Sequence, residues 1–161
     1  TVVTSDVDER KIAADTPAHL AQALATAKAR AVAALRPRDT VCGFDTVVDC
    51  GGEVFGKPRD EADALRMLRA LSGRTHKVHT GVCICRGARA AATVETTMVQ
   101  FSPIAEEGLL AYVRTPEPYD KAGAYAIQGH AALWCAGIAG CYYNIMGLPV
   151  HRTAQLLRRF G

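Results

Sequence analysis

Asp45 sits inside an otherwise apolar run, Gly43-Phe44-Asp45-Thr46-Val47-Val48. A lone carboxylate in such a strand is costly to bury unless a cation or hydrogen bonds satisfy it. A metal ion would do so, and so would a network of polar side chains, so this segment alone leaves a catalytic and a structural role open. Gly56-Lys57-Pro58 lies one hairpin further on and returns to the same sheet edge. Glycine before lysine lets backbone approach an anion, which the ammonium then neutralises. The GxxxxGK[ST] spacing of a P-loop is missing, and the tripeptide alone also describes a solvated lysine after a strand. Asp6-Val7-Asp8-Glu9 is an acidic cluster near the start. On an extended segment Asp6 and Asp8 face one way and Glu9 the other. Its carboxylates are hard oxygen ligands of the kind that suits Mg²⁺ or Mn²⁺, or they solvate a loop ahead of a helix. In Asp120 to Gly129, small residues and two glycines surround Lys121 and Gln128. Such a loop can approach a flat ligand closely, and Gln128 offers the donor and acceptor that a base edge requires; a glycine-lined turn is the plainer description. His76 and His79, three apart on a strand, face opposite sides and do not form a two-histidine metal site.

The elements that must position these groups follow from periodicity. Thr16 caps a helix whose first position suits Pro17, and Leu20, Leu24, Ala27, Ala31 and Leu35 make one buried stripe along it. Lys28 and Arg30 project elsewhere on the same helix. Thr40 to Val48 and Glu53 to Phe55 read as a hairpin turning through Cys50-Gly51-Gly52. A helix runs from Asp60 to Leu71 and is ended by Gly73. His76 to Cys85 and Ala90 to Phe101 form a long hairpin. Then come a helix from about Pro103 to Arg114, a strand within Ala131 to Ile138, and a final helix from Pro149 to Phe160. Helices interleaved with hairpins predict an α/β protein with a mixed sheet.

The chain has 161 residues, enough for one domain or two small lobes sharing a core. Its 19 basic and 16 acidic residues leave a charge of +3, too mild to argue for nucleic-acid binding. No apolar run approaches the ~18 residues that span a bilayer, so no membrane partner is expected. None of the six cysteines forms a CxxC pair. Cys83 and Cys85 face the same side of a strand as small hydrophobes. This usage predicts a reducing, cytoplasmic setting.

Taken in order, these segments resemble the Maf family of nucleotide pyrophosphatases. The resemblance runs from Ser5-Asp6-Val7-Asp8-Glu9 through Asp45-Thr46-Val47-Val48, Gly56-Lys57-Pro58-Arg59-Asp60, Leu71-Ser72-Gly73-Arg74-Thr75-His76, Thr80-Gly81-Val82, Asp120 to Tyr125 and Ile127-Gln128-Gly129 to Gly140–Pro149. It implies an elongated α/β fold like that of the inosine triphosphate pyrophosphatases, a mixed sheet with flanking helices and two lobes around a cleft. It implies Mg²⁺ or Mn²⁺ and cleavage of a nucleoside triphosphate to monophosphate and pyrophosphate. Asp45 matches the family's catalytic aspartate, which would also ligate the metal. Glu9, Lys28 and Lys57 match its other polar active-site positions; the expected roles are metal ligation for Asp45 and Glu9 and phosphate binding for Lys28 and Lys57. Thr46 and Gln128 match the specificity positions of the branch acting on dTTP and UTP. A possible homodimer is also implied.

Two departures from the family pattern stand out. The family opens with a strand and an SxSPRR phosphate loop, and residues 1–161 read as a single Maf-like domain beginning after it. Phe44 stands where Ala or Ser usually precedes the catalytic aspartate. Two other functions compete: a non-catalytic nucleotide-binding regulator of cell division or septum formation, and a pyrophosphatase of the 7-methyl-GTP type.

Overall fold

A computed structural model describes residues 1–160. Five strands form one sheet in the order β2-β1-β3-β4-β5. They are β1 (Thr40–Cys50), β2 (Glu53–Phe55), β3 (Thr75–Arg86), β4 (Arg89–Phe101) and β5 (Cys135–Ala139). Every neighbouring pair is antiparallel. The α/β class is as expected, but the mixed sheet is not: β1–β2 and β3–β4 are hairpins, and the longer connections also bring their strands back antiparallel. The strand expected within Ala131 to Ile138 divides into a 3₁₀ helix, His130–Trp134, followed by β5. A short apolar run carries no period that separates these states.

Helix α1 (Pro17–Leu35) begins as its sequence dictates, with the Thr16 side chain accepting from the His19 N–H at 3.1 Å and Pro17 in the first turn. It lies across β1 and β3 on one sheet face, burying Ala21, Ala25 and Ala29 against Val47, Cys83 and Cys85. Two glycines set how closely it lies. A Cβ on Gly81 would stand 2.1 Å from the Ala21 carbonyl oxygen, and one on Gly43 would stand 2.5 Å from that of Ala25. The helix backbone therefore rests directly on the strands.

The opposite face carries the larger core. Helix α2 (Glu61–Leu71), capped by Asp60 at 2.8 Å from the Asp63 N–H, and α3 (Glu106–Val113) bury Leu68, Leu71, Leu109 and Val113 with Phe55, Val78 and Phe101. The one-turn α4 (Tyr142–Ile145) and α5 (Val150–Leu157) complete this side, Leu156 and Phe160 packing on Val82 and Ile84. Strand β2 pairs only with Val48–Cys50. Among the described residues, the outer edge of β1 from Thr40 to Val47 therefore has no strand beside it. No helix of the described residues is long and apolar enough to cross a membrane.

Candidate active site

The unpaired edge of β1 opens into a cleft of about 690 Å³. Because alternate residues of a strand point to opposite faces, this edge offers Asp45 toward α1 and Thr46 toward the other layer. Asp45, Thr46, Lys28, Glu9 and Lys57 all line the cleft, so five of the six expected site residues are brought together. Gln128 is not. It is exposed and lies outside the cleft, while its neighbours Ala126 and Ile127 turn into the core. Phe44 lines the cleft and also packs on the Val82–Ile84 cluster.

Lys28 is the centre of the charged group. Its ammonium donates to Asp45 Oδ1 and pairs with Glu9 Oε1 at 2.7 Å. Glu9 reaches it because residues Glu9–Lys11 form a 3₁₀ turn rather than an extended segment. Burial works against the Lys28 charge, but the hydrogen bonds to Asp45 and Glu9 outweigh it and hold its pKa above the ordinary value. The Asp45 side chain is only 12% exposed. Desolvation pushes its carboxyl above the usual range and the nearby Glu9 charge adds to this, while Lys28 and, more weakly, Lys57 pull it down. Desolvation is the largest influence on both groups: it dominates at Asp45, whose carboxyl is made more basic, and is outweighed at Lys28 by the hydrogen bonds to the two carboxylates.

Lys57 leaves β2 in a loop that is tied down twice. The Gly123 N–H donates to the Gly56 carbonyl at 3.0 Å, and Asp63 Oδ2 accepts from the Arg59 N–H at 3.2 Å. Several lining groups were not singled out from sequence as site residues: Arg10, Asp120, Tyr125 and Met146. Lys121 was noted only for its glycine-rich surroundings. Tyr125 follows Gly123 and Ala124, both at positive φ (73° and 61°), and is itself buried. It is fixed by His76, whose Nε2 lies 2.8 Å from its hydroxyl.

Thr46 belongs to a neutral network. Its Oγ1 is 2.9 Å from Thr80 Oγ1, and Thr80 donates to the Asn144 carbonyl at 2.9 Å. The Asn144 amide donates to the Val78 carbonyl at 2.9 Å and to Thr97 Oγ1 at 3.0 Å. Asn144 is wholly buried, and the residues after it, Ile145 to Gly147, form the cleft wall beside Thr46.

A magnesium or manganese ion can be judged on the donors present. Asp45 and Glu9 supply two carboxylates, and among the described residues no group of three or more His, Cys, Asp or Glu side chains gathers into a cage. Two hard carboxylates suit an ion that keeps waters and arrives on substrate phosphates rather than one held by protein alone. The donor set fits in that sense.

Residues 1–160 match the family described as Maf-like protein. The chain belongs to the Maf family. It is 51% identical over 160 residues to a protein named dTTP/UTP pyrophosphatase from Symbiobacterium thermophilum, covering 99% of this chain and 82% of that one. Proteins of the same name from Koribacter versatilis and Thermococcus gammatolerans are 48% and 49% identical, covering 99% and 92% of this chain and 83% and 79% of theirs. Asp45, Lys28, Glu9 and Lys57, the positions expected from the resemblance, all line the cleft at the open sheet edge.

Proposed function

We propose that this Maf protein hydrolyses dTTP and UTP to the monophosphate and pyrophosphate. The names of its relatives support the substrate class. The observation that carries the chemistry is a largely buried carboxylate, Asp45, sharing one cleft with Lys28 and Lys57. The triphosphate lies along the cationic side, where Lys28, Lys57 and the rim groups Arg10 and Lys121 offset its charge. Asp45 orients a water for in-line attack at the α-phosphorus and takes its proton, a role suited to a carboxylate made more basic by desolvation. Lys28 keeps that carboxylate aimed and ionised until substrate arrives. The charge that builds on the leaving pyrophosphate is met by Lys57, held in place by its tied loop. A Mg²⁺ or Mn²⁺ ion held by Asp45 and Glu9 together with phosphate oxygens would supply further charge neutralisation at the reacting centre. Thr46 faces the pyrimidine; Gln128, outside the cleft, has no part in this reading.

The test is pyrophosphate release from a nucleotide panel including dTTP, UTP, CTP and 7-methyl-GTP, with and without Mg²⁺. Asp45→Asn is expected to lower turnover on dTTP or UTP by roughly 10²–10⁴ with an unchanged fold by circular dichroism. Near wild-type turnover in that variant would remove Asp45 from the chemistry.

A further inference from the structure

Residues 117–130 form a loop whose two ends meet, and one carboxylate joins them. Glu117 Oε1 accepts from the Tyr112 hydroxyl at 2.9 Å. Its Oε2 accepts from the His130 N–H at 3.2 Å and lies 2.9 Å from His130 Nδ1. An ionised carboxylate can only accept, so the imidazole carries a proton on Nδ1. The Tyr112 proton goes to Glu117, which leaves the hydroxyl oxygen to accept from the Ala126 N–H at 3.3 Å. Burial works to raise the Glu117 carboxyl, but the hydrogen bonds from His130 and Tyr112 outweigh it and hold the group below its ordinary range. The carboxylate also lies against a bare α-carbon: a Cβ on Gly129 would stand 2.0 Å from Oε1.

The middle of this loop is a wall of the cleft, lined by Asp120, Lys121, Ala122 and Tyr125. The stretch lies in two 3₁₀ turns, Glu117–Asp120 and Ala122–Ala124, rather than in a strand or α-helix. Ala124 sits at a φ of 61°, which a residue with a Cβ holds only where its surroundings over-determine it. On the far side of the turn, the Gly123 N–H is held by the Gly56 carbonyl at 3.0 Å. Lys121 therefore hangs between two anchors, the clasp at Glu117 and the tie at Gly123. Its ammonium pairs with the adjacent Asp120, so its reach into the cleft is set by where the backbone stands. We infer that Glu117 is a positioning residue for the reaction: by closing the 117–130 loop it holds Lys121 where the ammonium meets the phosphates of the substrate. This rests on the cleft being a nucleoside triphosphate site. Glu117 is not among the residues that line the cleft, so it acts on binding through Lys121. Misplacing a positioning group by about 1 Å can cost up to roughly 10²-fold, which is how a clasp away from the phosphates bears on the rate.

The experiment measures kcat and KM for UTP and dTTP in the parent chain, Glu117→Ala, Gly129→Ala, Lys121→Met and the two double variants that combine a clasp substitution with Lys121→Met. Gly129→Ala drives the carboxylate from its seat and leaves every charge of the chain in place. The φ of −104° at that position imposes no left-handed strain on alanine. Each clasp variant is expected to raise KM about tenfold and to change kcat little, as when a contact made equally to substrate and transition state is lost. Beside Lys121→Met the same substitutions should raise KM by less than about twofold, because the group they position is gone. A clasp that only stabilised the fold would lower the melting midpoint in both backgrounds and show no coupling in KM to Lys121. A full tenfold penalty that persists beside Lys121→Met therefore overturns the inference, as does a parental KM in Gly129→Ala. So does a parental KM in Lys121→Met, a result that needs no clasp variant to fold. A parent inactive on both UTP and dTTP would overturn the triphosphate reading itself, which the other outcomes leave standing.

Discussion

Two polar clusters meet at β1, one on each face of the same strand, and they are built on opposite principles. Lys28, Asp45 and Glu9 form a charged group with few members, open to a cleft. Thr80, Asn144 and Thr97 form a neutral group that is closed, with nearly every proton assigned to a partner. In the closed group the hydrogen bonds fix geometry, and the buried Asn144 Oδ1 is the acceptor left without a partner. In the open group the cation is shared between two carboxylates, so each retains lone pairs that a substrate or ion can engage. Reactivity sits in the open group and precision in the closed one, and Thr46 joins the neutral network to the cleft.

The contrast can be broken most sharply at Lys28. Lys28→Met should lower kcat/KM by about 10²-fold, and it should also move the acid limb of the pH–rate profile upward. Desolvation already raises the Asp45 carboxyl and Lys28 is its main counterweight; without it Asp45 takes up a proton at higher pH. An acid limb that stays in place would show that Lys28 does not control the carboxylate. The closed cluster should respond in stability first. Thr97→Val leaves the Cys141 N–H without its side-chain acceptor and is expected to cost about 1–3 kcal/mol in urea unfolding, with a smaller loss of activity than Lys28→Met. The reverse ranking would mean that the two clusters do not divide the work in this way.

Acid titration sharpens the same point in the main core. Burial holds His76 neutral and lowers its pKa from 6.5 to about 4. The unfolded chain therefore takes up a proton first as pH falls. The contribution is fully present above about pH 6.5 and is lost progressively toward pH 4, on the order of 3 kcal/mol in all. His79, also lowered by burial, acts in the same direction. Melting curves between these pH values should show the loss, and His76→Gln should flatten it. The smallest effect is expected at Arg69, whose ion pair with Glu106 is exposed on both sides. Arg69→Ala should leave turnover unaltered and barely move the melting midpoint.

Much of this was legible beforehand. Helices α1 and α2 and strands β1 to β4 stand where the sequence predicts, with Thr16 as the α1 cap, Asp60 at the start of α2 and glycines at the β1–β2 turn, but α1 buries Ala21, Leu24, Ala25, Ala29 and Val32 rather than the expected stripe through Ala27, Ala31 and the exposed Leu35. Asp45 was conspicuous because a carboxylate in an apolar strand must be explained. What escaped depended on partners distant in sequence. Nothing local in Thr80 or Asn144 marks them, since their role arises from contacts 34 and 64 residues apart. The same holds for strand direction, which is decided by how connections return rather than by any strand's own residues. Gln128 illustrates the converse: its chemistry suited base recognition, but the burial of Ala126 and Ile127 directs it to solvent.

The bare α-carbons of Gly43 and Gly81 carry a consequence for the chemistry. With no side chain cushioning helix against sheet, main chain touches main chain, and the reach from Lys28 to Asp45 is gauged by that hard contact. One methyl added at position 81 would lift the whole helix like a shim under a lever, carrying the ammonium away from its carboxylate. Two missing atoms, far too small to be noticed as functional groups, thus calibrate the spacing on which the reaction runs.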